Sequence, residues 1–213
     1  MESDAVHQNF LGTRLDDDEP PEEEETRDTA PRESLIVLDI LKKERSIVIS
    51  EPITPKLTQR FISQLLWLDS QGSSPIRIYL NTPGGSADDG FALFDMIRYI
   101  RAPVYTICVG LSASAGTLVL LAAPRDNRLA LPNARIMIHQ PSGGGRGRAS
   151  DIEITADEIL KLRQRVNELI AAETGKPLEQ IDKDTDRDYW LSAEEAKKYG
   201  LVSRIIRSLR DLP

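Results

Sequence analysis

From residue 45 to the end of the chain, short β-branched runs alternate with segments of helical spacing. This alternation constrains the fold more than any other feature of the sequence. Residues 45–50 (RSIVIS) read as a strand, and Thr54 followed by Pro55 opens a helix that runs to about Leu68. Residues 76–80 form a second strand, and Asn81-Thr82-Pro83-Gly84-Gly85-Ser86 turns sharply into a helix over 87–100. Residues 103–109 form a third strand, followed by a small-residue turn over 110–116 and an apolar helix to about Ala123. Two short strands follow at 127–131 and 135–138. Ser150 with Glu153 predicts a capping box for a long amphipathic helix that stops at Thr174-Gly175. Ser192 with Glu195 caps a last helix ending at Gly200, before a strand over 201–206. A further helix is expected upstream, over 35–43. Parallel strands need crossover helices, so the pattern predicts one α/β domain with largely parallel pairing over residues 34–213.

The rest of the composition narrows what this domain can do. A single cysteine, Cys108, excludes an internal disulfide or a cysteine-based zinc site, and two histidines, His7 and His139, exclude a His-rich metal site. No metal is expected. No apolar run reaches membrane-spanning length and the first residues lack a secretory apolar core, so the expected compartment is the cytoplasm, away from membranes. Charge is uneven: residues 1–34 hold 12 of the 34 acids and 3 of the 27 bases, leaving the remainder close to neutral. Residues 1–33 cannot bury enough apolar surface to offset their chain entropy and read as a disordered acidic extension. That extension is a solvated arm, a docking arm or a propeptide. The domain has no basic stripe interleaved with aromatics, which argues against nucleic acid.

Three residues and two turns carry the candidate chemistry. His139 closes the strand over 135–138, the kind of position where ligands and catalytic groups gather in α/β folds, and imidazole suits a general base at neutral pH. Its plainer reading is a core or surface histidine. Ser114 lies among small residues between a strand and an apolar helix, whose N-terminal N–H groups suit a developing oxyanion. Its plainer reading is an N-cap, and Ser112 is a rival nucleophile that spacing does not exclude. Gly84 and Gly85 can aim backbone N–H groups at a bound carbonyl. An acid that orients His139 could be Asp182, Asp184, Asp186 or Asp188, among which spacing does not choose.

The same stretches resemble the proteolytic subunit of the Clp protease, the ClpP family. The likeness rests on Asn81 to Ser86, Gly110 to Gly116, the run LPNARIMIHQP ending at Pro141, ASDIEI from Ala149, DTDRDYW ending at Trp190, and SAEEAKKYGL ending at Leu201. It implies a crotonase-like fold of repeated ββα units with a protruding handle, at about 141–173. It further implies a serine endopeptidase with Ser114 as nucleophile, His139 as base and Asp188 as orienting acid. The oxyanion donors implied are the backbone N–H groups of Gly84 and Ala115, and Asp186 and Arg187 would couple ring contacts to the triad. No cofactor belongs to such a chain, because ATP is used by the partner ATPase. Implied partners are further copies of itself in two stacked heptameric rings, or a paralogue; an AAA+ unfoldase; and unfolded protein substrates. The chain departs from the family at Ala115, where Met is usual, and at Leu111-Ser112, where Gln-Ala is usual. Arg146 and Arg148 replace common glutamines in the handle, and the acidic extension is unlike the family's axial loop. The competing expectations are a non-catalytic ring subunit serving assembly, and an acyl-thioester enzyme using the same oxyanion donors.

Overall fold

The computed structural model describes residues 32–212; the acidic extension proposed above lies almost wholly outside the described residues. Helix α1 (Arg32–Lys43) precedes β1 (Ser46–Ile49) and α2 (Pro55–Ser70). Thr54 caps α2 through its hydroxyl, which accepts from the Leu57 N–H, and Pro55 takes the first helical position. Strand β2 (Ile76–Thr82), helix α3 (Ala87–Tyr99), strand β3 (Val104–Ala113) and helix α4 (Ala115–Ala122) follow. The chain continues through β4 (Arg128–Ala130), β5 (Arg135–Ile138) and the 26-residue α5 (Ala149–Thr174). It closes with α6 (Leu178–Asp184), β6 (Tyr189–Ser192), α7 (Ala193–Tyr199) and β7 (Arg204–Ile205).

The sheet runs β1-β2-β3-β4-β7 with parallel pairing throughout, as the alternation of strands and helices requires. Strand β3 is the pivot. Its first half, Thr106 to Cys108, pairs with β4, and its second half, Leu111 to Ala113, pairs with β5. The sequence reading ends this strand at Val109 and treats Gly110 to Gly116 as a turn. The chain instead stays extended to Ala113, and a register irregularity between Leu80 and Thr82 lets β2 follow the bend. Strand β6 pairs antiparallel with β5 and was not apparent from sequence; neither was α6. The last strand is shorter than expected, only Arg204–Ile205.

Every residue of α4 is buried, which explains why this helix is apolar all round rather than on one face. It packs against α3 over the sheet, in a core shared by Ile78, Leu80, Phe91, Leu93, Leu120 and Ile136. Helix α5 behaves differently: its first half is exposed, and only Val166, Asn167, Ile170 and Thr174 are buried. It starts two residues earlier than the Ser150–Glu153 capping box predicts, with Arg148 at the N-cap. Asp151, not Glu153, reaches back, its carboxylate accepting from the Arg148 N–H at 3.3 Å. Gly175 ends the helix at φ 77°, a left-handed position that glycine takes without strain.

Candidate active site

Ser114 sits where β3 breaks into α4, and its backbone is strained. Its φ of 55° and ψ of −125° are rare for a residue with a Cβ and cost roughly 1–3 kcal/mol. The surroundings hold it there. The Ser114 N–H donates to Met137 O at 2.9 Å, and the Ser114 carbonyl accepts from the Thr117 N–H at 2.9 Å. The Thr117 hydroxyl lies 3.1 Å from Ser112 O and 3.0 Å from Met137 O, tying the turn to β5. Gly84, at φ 89°, lies against the elbow: a Cβ there would come within 2.4 Å of Ala113 O and 2.8 Å of Ser114 Cβ. The Ser114 side chain does not cap α4. Its Oγ lies 2.8 Å from His139 Nε2.

The other ring nitrogen, His139 Nδ1, lies 2.9 Å from Asp188 Oδ1. Strand register brings the pair together. Ile138 pairs with Tyr189 at the end of the antiparallel β5–β6 ladder, so His139, one step beyond Ile138, faces Asp188, one step before Tyr189. An ionised carboxylate only accepts, so Nδ1 carries the imidazole proton and Nε2 is left as an acceptor toward the Ser114 hydroxyl. Hydroxyl, imidazole and carboxylate thus form one chain.

The alternatives left open by sequence separate cleanly. Ser112 is fully buried, and among the described residues its hydroxyl has no hydrogen-bond partner and makes no bond to His139. Asp182 accepts from Asn167 Nδ2, and Asp184 accepts from the Tyr199 hydroxyl, which raises the tyrosine pKa after burial has already done so. Asp186 accepts from Gln140 Nε2 through both its carbonyl, at 2.7 Å, and its carboxylate, at 3.3 Å, with Arg163 3.9 Å away. Only Asp188 reaches the imidazole. Arg187 is exposed and makes no hydrogen bond or ion pair among the described residues.

A cavity of about 410 Å³ opens at Ser114 and His139. Leu118, Met137, Leu162, Val166 and Ile170 give it an apolar wall. Gly84, the oxyanion donor implied by resemblance, does not face this cavity. It is buried, and its N–H donates to Thr82 Oγ1 at 3.1 Å. The neighbouring Gly85 is exposed, lines the cavity, and has an N–H with no acceptor among the described residues. Ala115 also lines the cavity, at the first position of α4, where helix geometry leaves its N–H free. The peptide between Gly84 and Gly85 is held by Ile53, whose N–H donates to Gly84 O and whose carbonyl accepts from the Ser86 N–H.

Comparison with known proteins agrees with this architecture. A family model described as Clp protease matches residues 30–209. The ATP-dependent Clp protease proteolytic subunit 3 of Rhizobium johnstonii is 55% identical over 172 residues, covering 81% of this chain and 89% of that protein. The proteolytic subunit 2 of Treponema denticola is 48% identical over 170 residues, covering 79% and 85%. A solved structure of a ClpP1 mutant from Listeria monocytogenes superposes with a TM-score of 0.78 at 44% identity, covering 83% of this chain and 99% of that one. The chain belongs to the Clp protease family. Its α/β fold, with the parallel sheet and the long α5, is the ClpP fold.

Within this family chain, two features of the site escaped the sequence reading. The first is β6, a four-residue strand with only Leu191 buried, too short and too exposed to announce itself by alternation. The aromatic pair Tyr189-Trp190 after the acidic run was the available signal. The second is the strain at Ser114, which no local composition rule predicts. Among the described residues no group of three or more His, Cys, Asp or Glu side chains is placed to hold a metal ion. No described helix is long and apolar enough to cross a membrane.

Proposed function

We propose that this chain is a serine endopeptidase subunit of a compartmental, ATPase-coupled protease. The observation that carries the reading is the unbroken chain from Ser114 Oγ through His139 to Asp188, with links of 2.8 Å and 2.9 Å. Ser114 Oγ attacks the peptide carbonyl as His139 Nε2 takes its proton. The carbonyl oxygen becomes an oxyanion stabilised by the N–H groups of Ala115 and Gly85, taking Gly85 in place of Gly84 because Gly85 lines the cavity and its N–H has no acceptor among the described residues, whereas that of Gly84 is bonded to Thr82. His139 then returns the proton to the leaving amine, leaving an acyl-enzyme on Ser114. Water, deprotonated by His139, attacks that ester, and the proton passes back to Ser114 Oγ as the new carboxyl end departs. Asp188 fixes the tautomer and stabilises the imidazolium.

The apolar wall formed by Leu118, Leu162, Val166 and Ile170 supports an apolar side chain next to the cleaved bond. Side chains and backbone carry every step, so the chain itself needs no cofactor; ATP is consumed by an AAA+ unfoldase that delivers unfolded proteins. Rings of this chain, alone or with a paralogue, and a cytoplasmic location complete the reading. The exposed first half of α5, with Ile152, Ile154 and Leu160 uncovered, supports a contact between copies, and the coupling role of Asp186 and Arg187, both exposed, belongs to the same reading.

The decisive experiment is activity labelling of the assembled, full-length protein with a fluorophosphonate, with and without a Clp ATPase, followed by peptide mass mapping. The adduct is expected on Ser114 and is expected to vanish in Ser114→Ala. An assembled wild-type protein that takes up no probe would overturn the peptidase reading.

A further inference from the structure

Asp188 is the most exposed member of the constellation: its side chain retains 59% of its accessible surface, against 22% for His139. Its position therefore cannot come from packing around the carboxylate. It comes from the loop that carries it, and that loop is pinned at two points. One is Tyr189, paired with Ile138. The other is Thr185, a fully buried residue at the end of α6.

Thr185 is held by Asn167 of α5, also fully buried. An amide in such a place is strongly destabilising unless both its ends are paired. Here both are: Asn167 Oδ1 lies 3.1 Å from the Thr185 hydroxyl, whose one proton it shares with Ile181 O at 2.8 Å, and Asn167 Nδ2 donates to Asp182 Oδ1 at 2.6 Å. The Thr185 carbonyl then accepts from the Gln140 N–H at 2.6 Å, directly after His139. Gln140 Nε2 in turn donates to Asp186 O, two residues before Asp188. One buried pair on α5 and α6 thus holds both the backbone carrying the base and the loop carrying its acid.

We infer that Asn167 and Thr185 are positioning residues that set the His139–Asp188 bond, and that α5 biases catalysis through them. The inference rests on the peptidase reading above. Replacing Asn167 by Leu keeps the branching and heavy-atom count of the side chain and removes both hydrogen bonds, freeing the loop. The expected result is a fall of about tenfold or more in kcat for a short fluorogenic peptide, with KM within about twofold, because loop misplacement affects the proton-transfer geometry and not the apolar wall. Almost no further loss is expected when Asn167→Leu is added to Asp188→Asn.

The test compares wild type, Asn167→Leu, Asp188→Asn and the double variant as assembled full-length protein, with native mass spectrometry confirming equal assembly. Thr185→Val, which keeps shape and removes the hydroxyl, carries the test if Asn167→Leu fails to assemble, and Thr185→Ser should restore the rate. Losses that multiply in the double variant, or a wild-type kcat in Thr185→Val, would overturn the inference. A wild type that never labels at Ser114 would instead overturn the peptidase reading.

Discussion

The elbow at Ser114 and the loop at Asp188 lie at opposite ends of one hydrogen-bonded chain, yet they are held in place by opposite means. The elbow is buried on almost every side. Ala113, Ala115 and Gly116 surround the serine, Gly84 packs against it, and its strained backbone is fixed by bonds to Met137 and Thr117. The loop is exposed from Asp186 to Trp190 and hangs between two anchors. Strain can be stored where packing over-determines the backbone; an exposed loop can only be aimed by what ties down its ends. The comparison teaches that the geometry of Ser114 depends on the whole core, whereas that of Asp188 depends on a few polar contacts.

Substitutions at the two ends test that contrast. Ser114→Ala is expected to reduce peptide hydrolysis by on the order of 10³-fold or more, with the assembly intact, as read by peptidase assay and native mass. Asp188→Asn should also lower kcat, by roughly 10²-fold or more, because it withdraws support for the Nδ1–H tautomer. It should leave the melting temperature nearly unchanged, since the side chain packs against little. A melting temperature lowered as far as that of a core variant would break the contrast.

Gly84→Ala attacks the packed end instead. Its new Cβ would lie within 2.4 Å of Ala113 O. We expect a loss of about 3 kcal/mol in stability by denaturant titration, and a fall in kcat of the protein that stays folded, because the same Cβ would press within 2.8 Å of Ser114 Cβ. Ser112→Ala should have a smaller effect, and of the opposite sign. It removes a buried hydroxyl without a partner and should stabilise by about 1 kcal/mol while leaving kcat within about twofold. Retained activity there sharpens the distinction between the two serines of the turn; a collapse of activity would restore Ser112 as a candidate.

Cys108 gives the mildest test of the packed half. Burial pushes its thiol from 9.0 up to about 12. In the folded state it keeps its proton where the unfolded chain loses it, so its contribution to stability is complete below about pH 9 and declines between pH 9 and 12. A thiol reagent at pH 8 should modify it only on the unfolding timescale, read by stopped-flow or quenched mass analysis.

Much of the frame was legible before any coordinates. Thr54-Pro55, Ser86 and Ser192 with Glu195 mark helix starts by local chemistry that tertiary context did not alter. The alternation of strands and helices specified parallel pairing because parallel strands cannot be joined by a tight turn. The resemblance marked Ser114, His139 and Asp188, but the residues alone left Ser112 and three other aspartates open. Register settled their placement: β5 pairs with β6 so that His139 faces Asp188, while Asp182, Asp184 and Asp186 take other partners. Gly84 and Gly85 look interchangeable in sequence, and differ only because Thr82 accepts from the first and the cavity opens beside the second.

By itself, then, the order of residues determined the capped helices and the parallel pairing of the main sheet, since these follow from periodicity and capping over a few neighbours, whereas α6, the antiparallel β6 and the full extent of β3 did not show in it. Only the tertiary structure decided which serine meets the imidazole, which carboxylate bonds it, and which glycine keeps an unbonded N–H beside the cavity. The first two depend on the pairing register of segments up to 57 residues apart, as Arg135 is from Ser192, and a shift of one residue reverses the face a side chain presents.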